Sequence, residues 1–404
     1  MHILVLQETD WLNRGPHTQH HIFERLSKKE SIKITVLDYD MDQMMEQNSI
    51  IIKKTEYTNI SKVIEDPKIH IIRTGHIQVK YLRRISSLIT NFFTIIKIIR
   101  KERPDFIVSF SLSNGLIGLF LSKIFRIPFI FFYIDILHEL VPIDYIRGAA
   151  KSLSKILFKY SDKILVHTYY QKNMILQSNI SPNKISILPD GIALENIRVN
   201  QEKLNTLKKQ LSLNEKDFVI FFMGYLYEFA GLIEIINYYH SKVKSENLNL
   251  KFIILGDGGI YNKLIQLKNK LEADWVILPG RVPFSYITEY IELADLCLMS
   301  FKINDITKDI VPIKIFEYMA QKKPVLSNSL PAVVHELKEE SDIIFTENQE
   351  ILIEKIGILM KQRHKLKEIG QKGYKLVKEK YAWNKLIAEF KQHIINIIKM
   401  REEK

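Results

Sequence analysis

The chain has 404 residues, 46% of them hydrophobic and 26% charged, with a formal charge of +12 and a single cysteine. That length exceeds one ordinary core and predicts two domains or three. The composition excludes a disordered chain and the lone cysteine excludes a disulfide framework, while the charge suits nucleic acid, an anionic membrane surface or an acidic ligand.

The first residues, His2-Ile-Leu-Val-Leu-Gln, lack a basic region followed by a long apolar one, so no signal peptide is visible. The longest apolar region, 127–141, is interrupted by Asp135, His138 and Glu139 and is too short to span a bilayer. A cytoplasmic protein is expected. Cys297, inside the apolar run 293–299, reads as a buried inert thiol.

Short apolar stretches alternate with helical patterns along the whole chain, the signature of parallel α/β sheets. Strands are predicted at 1–7, 32–37, 106–110, 129–134, 163–167 and 185–188. After a polar stretch at 200–217 a second set follows at 218–223, 252–255, 275–278, 296–300 and 324–327. Two successive sheets predict two Rossmann-like domains with a cleft between them.

Candidate chemistry begins in the loop after the first strand, Asp10-Trp-Leu-Asn-Arg-Gly-Pro-His-Thr-Gln-His-His21. Ligands of doubly wound sheets bind beyond the carboxyl ends of strands. Gly15 permits close backbone approach, Pro16 suits a helix opening, Arg14 suits an anion, and His17 completes the candidate set. His17 and His21 share a helical face without a nearby carboxylate, so helix-surface histidines are favoured over a metal site. Asp38-Tyr-Asp-Met-Asp42 superficially matches a metal-binding acid pair, but its place after the second strand reads as a polar loop. His138 follows a buried strand and reads equally as a cap or as a cleft residue.

Basic amphipathic helices are predicted in the first half. Ile146, Ala149, Ala150, Leu153, Leu157 and Tyr160 mark one face of a helix whose other side carries Arg147, Lys151, Lys155 and Lys159. Lys80, Arg83, Arg84, Lys97, Arg100 and Lys101 flank the apolar run 88–99. A solvated face is the ordinary explanation, and docking on an anionic membrane is the functional one. No zinc-binding spacing appears and the aromatics are not interleaved with basic residues, so nucleic acid has no support.

The most informative segment is Asp309-Ile-Val-Pro-Ile-Lys-Ile-Phe-Glu317-Tyr-Met-Ala, with two carboxylates eight positions apart. Pro312 suits a first helical position; Ile313, Phe316 and Ala320 repeat as a buried face, and Lys314, Glu317, Tyr318 and Gln321 share another. A carboxylate ahead of a helix start and one inside the helix can hold hydroxyls on either side of a bound phosphate.

This segment, with Lys323-Pro-Val after it, resembles the acidic motif of the retaining glycosyltransferases of family four. Ile187-Leu-Pro-Asp-Gly191, Ile254-Leu-Gly-Asp-Gly258, Leu278-Pro-Gly-Arg-Val-Pro283 and Tyr381-Ala-Trp383 stand in the family's order. The resemblance implies the GT-B architecture: an acceptor domain at 1–195, a nucleotide-sugar domain at 196–380, and a tail at 381–404 that crosses back. It implies a UDP- or GDP-linked sugar as donor substrate, no separate cofactor, no metal, and a glycan or lipid-linked acceptor. It assigns catalytic places to Asp309, Lys314, His138 and Arg14. Donor-binding places fall to Glu317, on the ribose, and to Gly15, Gly224, Arg281, Val282, Val311, Pro312 and Ile313; His17 lies on the acceptor side. Asp309 is one methylene shorter than the family's Glu. In Gly224-Tyr-Leu-Tyr-Glu-Phe-Ala-Gly231, Tyr225 and Ala230 stand where many relatives carry Arg and Lys against the donor diphosphate, and Lys314 is the preferred substitute. The alternatives are a sugar-nucleotide epimerase on the same fold and a non-catalytic nucleotide-sugar-binding subunit.

Overall fold

A computed structural model describes residues 1–29, 31–39, 50–79, 82–134, 144–337 and 343–402. The chain forms two compact units, Met1–Asp190 with Leu386–Lys404, and Gly191–Lys385.

The first unit contains strands β1 (His2–Leu6), β2 (Lys33–Asp38), β3 (Ile51–Ile52), β4 (Thr55–Thr58), β5 (Ile69–Arg73), β6 (His76–Ile77), β7 (Phe106–Ser109), β8 (Phe129–Tyr133), β9 (Lys163–Val166) and β10 (Ile185–Ile187). Eight of them form one sheet in the order β10-β9-β8-β7-β1-β2-β5-β4, and β3 pairs separately with β6. Every pair of the large sheet is parallel except β4 with β5. Continuous apolar runs are what a sheet covered on both faces requires, and all residues of β1, β7 and β8 are buried. Helices α1 (Thr18–Ser27), α2 (Leu82–Glu102), α3 (Ser113–Phe125), α4 (Asp144–Tyr160) and α5 (Tyr169–Leu176) connect the strands.

No strand is expected from the sequence between 38 and 105, yet β4 and β5 extend the sheet there. Histidine and arginine break the apolar run of β5, and both are satisfied by tertiary partners. His70 meets Glu56 of β4 at 2.7 Å. Arg73 sends its Nε to Asp38 at 2.7 Å and a second nitrogen to Asp10. Asp38 therefore ends β2 as a buried ion-pair partner, not as part of a polar loop; Asp40 and Asp42 lie outside the described residues.

The buried stripe of α4 is also rotated from its expected position. Ala150, Ser154, Leu157 and Phe158 are buried, whereas Leu153 and Tyr160 are exposed. The cause is α3, where Gly115 leaves room for both Leu157 methyls. Ile146 and Arg147 carry no described side chains.

The second unit has β11 (Phe218–Met223), β12 (Leu250–Leu255), β13 (Val276–Gly280), β14 (Leu296–Met299), β15 (Val325–Asn328) and β16 (Ile344–Thr346). They form a wholly parallel sheet in the order β13-β12-β11-β14-β15-β16. Around it lie α6 (Gln201–Gln210), α7 (Leu232–Ser245), α8 (Tyr261–Leu271), α9 (Ile287–Glu292), α10 (Lys314–Ala320), α11 (Pro331–Glu336), α12 (Gln349–Met360) and α13 (Arg363–Leu376). The polar stretch 200–217 contains α6, whose first turn is capped by the Asn200 side chain accepting from two backbone N–H groups. Cys297 is fully buried in β14. The two units are thus Rossmann-like α/β folds, each with its strand order reversing beside its first strand.

Where the chain enters and leaves the second unit, its two segments run side by side. Ile192 N–H donates to the Tyr381 carbonyl at 2.7 Å, and Trp383 N–H donates to the Ile192 carbonyl at 3.2 Å. The last helix, α14 (Trp383–Glu402), buries Leu386, Phe390, Ile394 and Ile397 at helical spacing. Phe390 meets Phe23 of α1 edge-on at 5.9 Å. Among the described residues no helix is long and apolar enough to cross a membrane.

Candidate active site

The strand order of the second unit reverses between β11 and β14, so the carboxyl ends of these two strands form its switch point, where such sheets bind ligands. The turns meeting there are 224–231 after β11 and 300–313 after β14. Gly224 leaves β11 at φ +128°, and Gly256 leaves β12 at φ +128°. A Cβ on Gly256 would stand 2.0 Å from the Gly224 carbonyl oxygen, so only glycine allows the two turns to close on one another.

Lys314 reaches into this turn. Its Nζ lies 2.5 Å from where a Gly224 Cβ would stand, and 4.5 Å and 4.9 Å from the ring centroids of Phe222 and Phe301. Burial lowers its pKa to about 8, against an opposing pull from Glu317. Glu317, one turn along α10, has its own pKa raised by burial, with the Lys314 charge acting the other way. A cation and a carboxylate thus lie one helical turn apart in poorly solvated surroundings, a setting in which charges act strongly.

The helix differs from its sequence-based outline. It starts at Lys314, with Ile313 as its N-cap, and runs only seven residues, so Pro312 precedes it. Ile313 is exposed, not buried, and Tyr318 is fully buried, not on the ligand face. The reason is β11: the Tyr318 hydroxyl accepts from Met223 N–H at 3.0 Å, anchoring α10 beside the Gly224 turn. On the same helix Phe316 stacks on Tyr381 at 4.1 Å. Phe222 and Phe301 carry no site signal in the sequence because strand periodicity marks them only as core.

Asp309 ends a single 3₁₀ turn, Thr307–Asp309, and is half-buried. Val311 packs against the unit's core. Arg281 is exposed in the loop after β13, and Val282 packs inward beside it. Tyr225 is exposed and Ala230 is fully buried, so the two departures from the family pattern occupy opposite environments.

In the first unit Gly15 adopts φ +88°, and a Cβ there would stand 2.8 Å from the His20 ring. Arg14 and His17 are exposed. Helix α1 starts at Thr18 with His17 as its cap, so Pro16 does not open it. The reading of helix-surface histidines is corrected for His20, which is fully buried: its Nε2 meets the Trp11 carbonyl at 3.1 Å, and burial lowers its pKa to about 4. A neutral ring accepting from His17 N–H at 3.0 Å holds the loop in place. Among the described residues no group of three or more His, Cys, Asp or Glu could hold a metal ion. His138 lies outside the described residues.

Comparison with known proteins adds the family. A family model described as Glycosyl transferases group 1 matches residues 204–376, and one described as Glycosyltransferase Family 4 matches residues 55–196. An uncharacterized glycosyltransferase of Methanocaldococcus jannaschii is 21% identical over 60% of the chain, which spans only 60% of that relative's length. The processive diacylglycerol alpha-glucosyltransferase of Acholeplasma laidlawii is 26% identical over 61% of this chain and 70% of its own. The crystal structure of HepE from Anabaena in complex with UDP superposes with a TM-score of 0.71 at 13% identity, covering 98% of this chain and 100% of that one.

Proposed function

This chain belongs to the group 1 glycosyltransferases of family four, with two Rossmann-like units of the GT-B kind, and on that premise we propose that it transfers a hexose-type sugar from a UDP- or GDP-linked donor to a glycan or lipid-linked acceptor with retention of anomeric configuration. The observation that carries this reading is the Lys314 ammonium held against the Gly224 turn at the switch point, with Glu317 one helical turn away. A diphosphate at that turn finds the cation that Tyr225 and Ala230 do not supply. Stabilising charge on a departing diphosphate in a poorly solvated site is the largest lever available to such a reaction. Glu317 takes the ribose hydroxyls, and Asp309 takes the sugar side. By the family resemblance Arg14 and His138 keep a catalytic assignment, Gly15 a donor-binding one and His17 the acceptor side. UDP in HepE and diacylglycerol in the A. laidlawii enzyme support the donor and acceptor classes.

Thermal shift against a panel of UDP- and GDP-sugars tests the donor, because a ligand that binds only the native state raises its stability. A rise of several degrees with one base and one sugar is expected; a flat panel would remove the reading. The anomeric configuration of the product, read by proton NMR, tests retention.

The same proposal includes a lipid surface for the first unit. Helix α2 exposes Leu82, Ile85, Ile89 and Phe93 at spacings of three and four, with Phe93 63% exposed. The neighbouring α3 exposes Phe120 and Ile124, and α4 exposes Leu153, Ile156 and Tyr160. Lys97, Arg100, Lys101, Lys123, Lys151, Lys155 and Lys159 lie on the same three helices. Exposed apolar residues on helices that also carry these cations fit an anionic leaflet, where each basic residue adds about 1 kcal/mol. Salt-sensitive sedimentation with phosphatidylglycerol vesicles, abolished by Ile89→Glu with Phe93→Glu, is expected. Absence of sedimentation at low salt would sink this part alone.

A further inference from the structure

The turn that lacks the family's cations carries a ladder of aromatic rings. Tyr225, Tyr227 and Phe229 project at every second position, while Leu226 between them is fully buried. The Tyr225 and Tyr227 ring centroids are 4.6 Å apart, and Tyr227 stacks on Phe229 at 4.6 Å with 12° between planes. Phe229 meets Phe301 edge-on at 5.0 Å, and Phe301 in turn faces the Lys314 ammonium. Core aromatics would be covered, yet Tyr225 is 52% and Tyr227 is 43% exposed. The turn beneath them is pinned. Leu226 N–H donates to the Asp257 carbonyl at 2.8 Å, and Ile260 N–H donates to the Leu226 carbonyl at 3.2 Å. A Cβ on Gly258 would stand 2.5 Å from the Leu226 nitrogen, so nothing larger than glycine fits under the turn.

Tyr227 lies between Phe229 and Tyr225 in this ladder, and the ring surface and phenolic hydroxyls that the two exposed tyrosines leave to solvent suit a ligand ring that offers C–H groups on its face and hydroxyls at its edge. A nucleobase also stacks on such faces, so position decides. The ladder leads to Lys314 on the side of β11, whereas Glu317, placed at the ribose, lies further along α10. A phosphate on Lys314 therefore puts the group across the anomeric bond, the pyranose, on the ladder. We propose that Tyr225 and Tyr227 form a stacking platform for the pyranose of a sugar whose anomeric phosphate is held at Lys314. This deepens the nucleotide-sugar reading and rests on it.

Saturation-transfer NMR with UDP-glucose and GDP-mannose as probes tests it, with UDP and GDP as controls. The wild-type protein is expected to transfer saturation to pyranose protons. Tyr225→Ala with Tyr227→Ala should weaken the sugar-bearing probe about tenfold, a loss of the size of one aromatic stacking contact. UDP or GDP should stay within about twofold, and Tyr227→Phe should keep the pyranose signal. Both tyrosines are exposed, so an unchanged melting temperature checks the fold of the variants. Equal weakening of UDP and UDP-glucose would assign the ladder to the nucleotide and overturn the platform, while leaving the donor reading intact. No weakening of either would overturn it as well. If the wild type binds none of the four probes, the nucleotide-sugar reading fails. α-D-Glucose 1-phosphate then tests the platform directly: pyranose saturation that the double variant loses supports it, and no transfer overturns it.

Discussion

Replacing Lys314 by methionine separates a catalytic cation from a structural one. The side chain stays unbranched, one atom shorter, beside Phe222 and Phe301 but loses its charge. Burial takes the amine from 10.5 to about 8, which corresponds to about 3 kcal/mol against the charged form at neutral pH. The two ring contacts return about 1 kcal/mol, and Glu317 loses a favourable partner. Lys314→Met should therefore leave folding stability at pH 7 unchanged or raise it by about 1–2 kcal/mol. The folded pKa lies below the unfolded one, so the folded protein binds fewer protons between about pH 8 and 10.5. Wild-type stability should climb through that window, and the variant should lose this climb. Turnover should fall about 100-fold or more, the usual cost of removing one charge stabiliser from a transition state. Urea unfolding at pH 7 and 9.5 gives the first quantity, and nucleoside diphosphate release from the donor found by thermal shift gives the second. Turnover within about twofold of wild type would refute the role of Lys314. So would an activity loss that merely tracks a loss of stability.

Three further outcomes follow from the same geometry. In wild type kcat/KM should fall as pH rises through about 8, because the ammonium is the competent form; Lys314→Arg, if active, should carry activity past that limb, since a guanidinium keeps its proton. Gly256→Ala should cost at least about 3 kcal/mol in urea unfolding, given a Cβ 2.0 Å from the Gly224 carbonyl oxygen at φ +128°, whereas Gly148→Ala on α4, with open space around it, should gain about 0.5–1 kcal/mol. Arg73→Met should cost about 3–5 kcal/mol by leaving buried Asp10 and Asp38 unpaired. That deficit should shrink in mild acid, where Asp38, its pKa already raised by burial, takes up a proton.

The alternation of apolar runs with amphipathic helices was enough, by itself, to dictate two parallel α/β units, because a strand covered on both faces must be apolar throughout and each crossover needs a helix. The segment 309–317 and its neighbouring motifs likewise announced a family, since those residue types recur at positions tied to backbone geometry. Other features depended on partners distant in sequence. The strand at Ile69–Arg73 forms because Asp10 and Asp38 satisfy Arg73. Tyr318 turns inward because Met223, 95 positions away, offers it an N–H. The neutrality of His20 comes from burial, which outweighs the pull of the Trp11 carbonyl toward the protonated ring. The missing cations at Tyr225 and Ala230 were legible at once; that Lys314 stands at the same turn, with a lowered pKa and a ladder of rings beside it, required the strands and α10 to be packed together. A side chain's burial and the field around it belong to its three-dimensional neighbours, which no local pattern specifies.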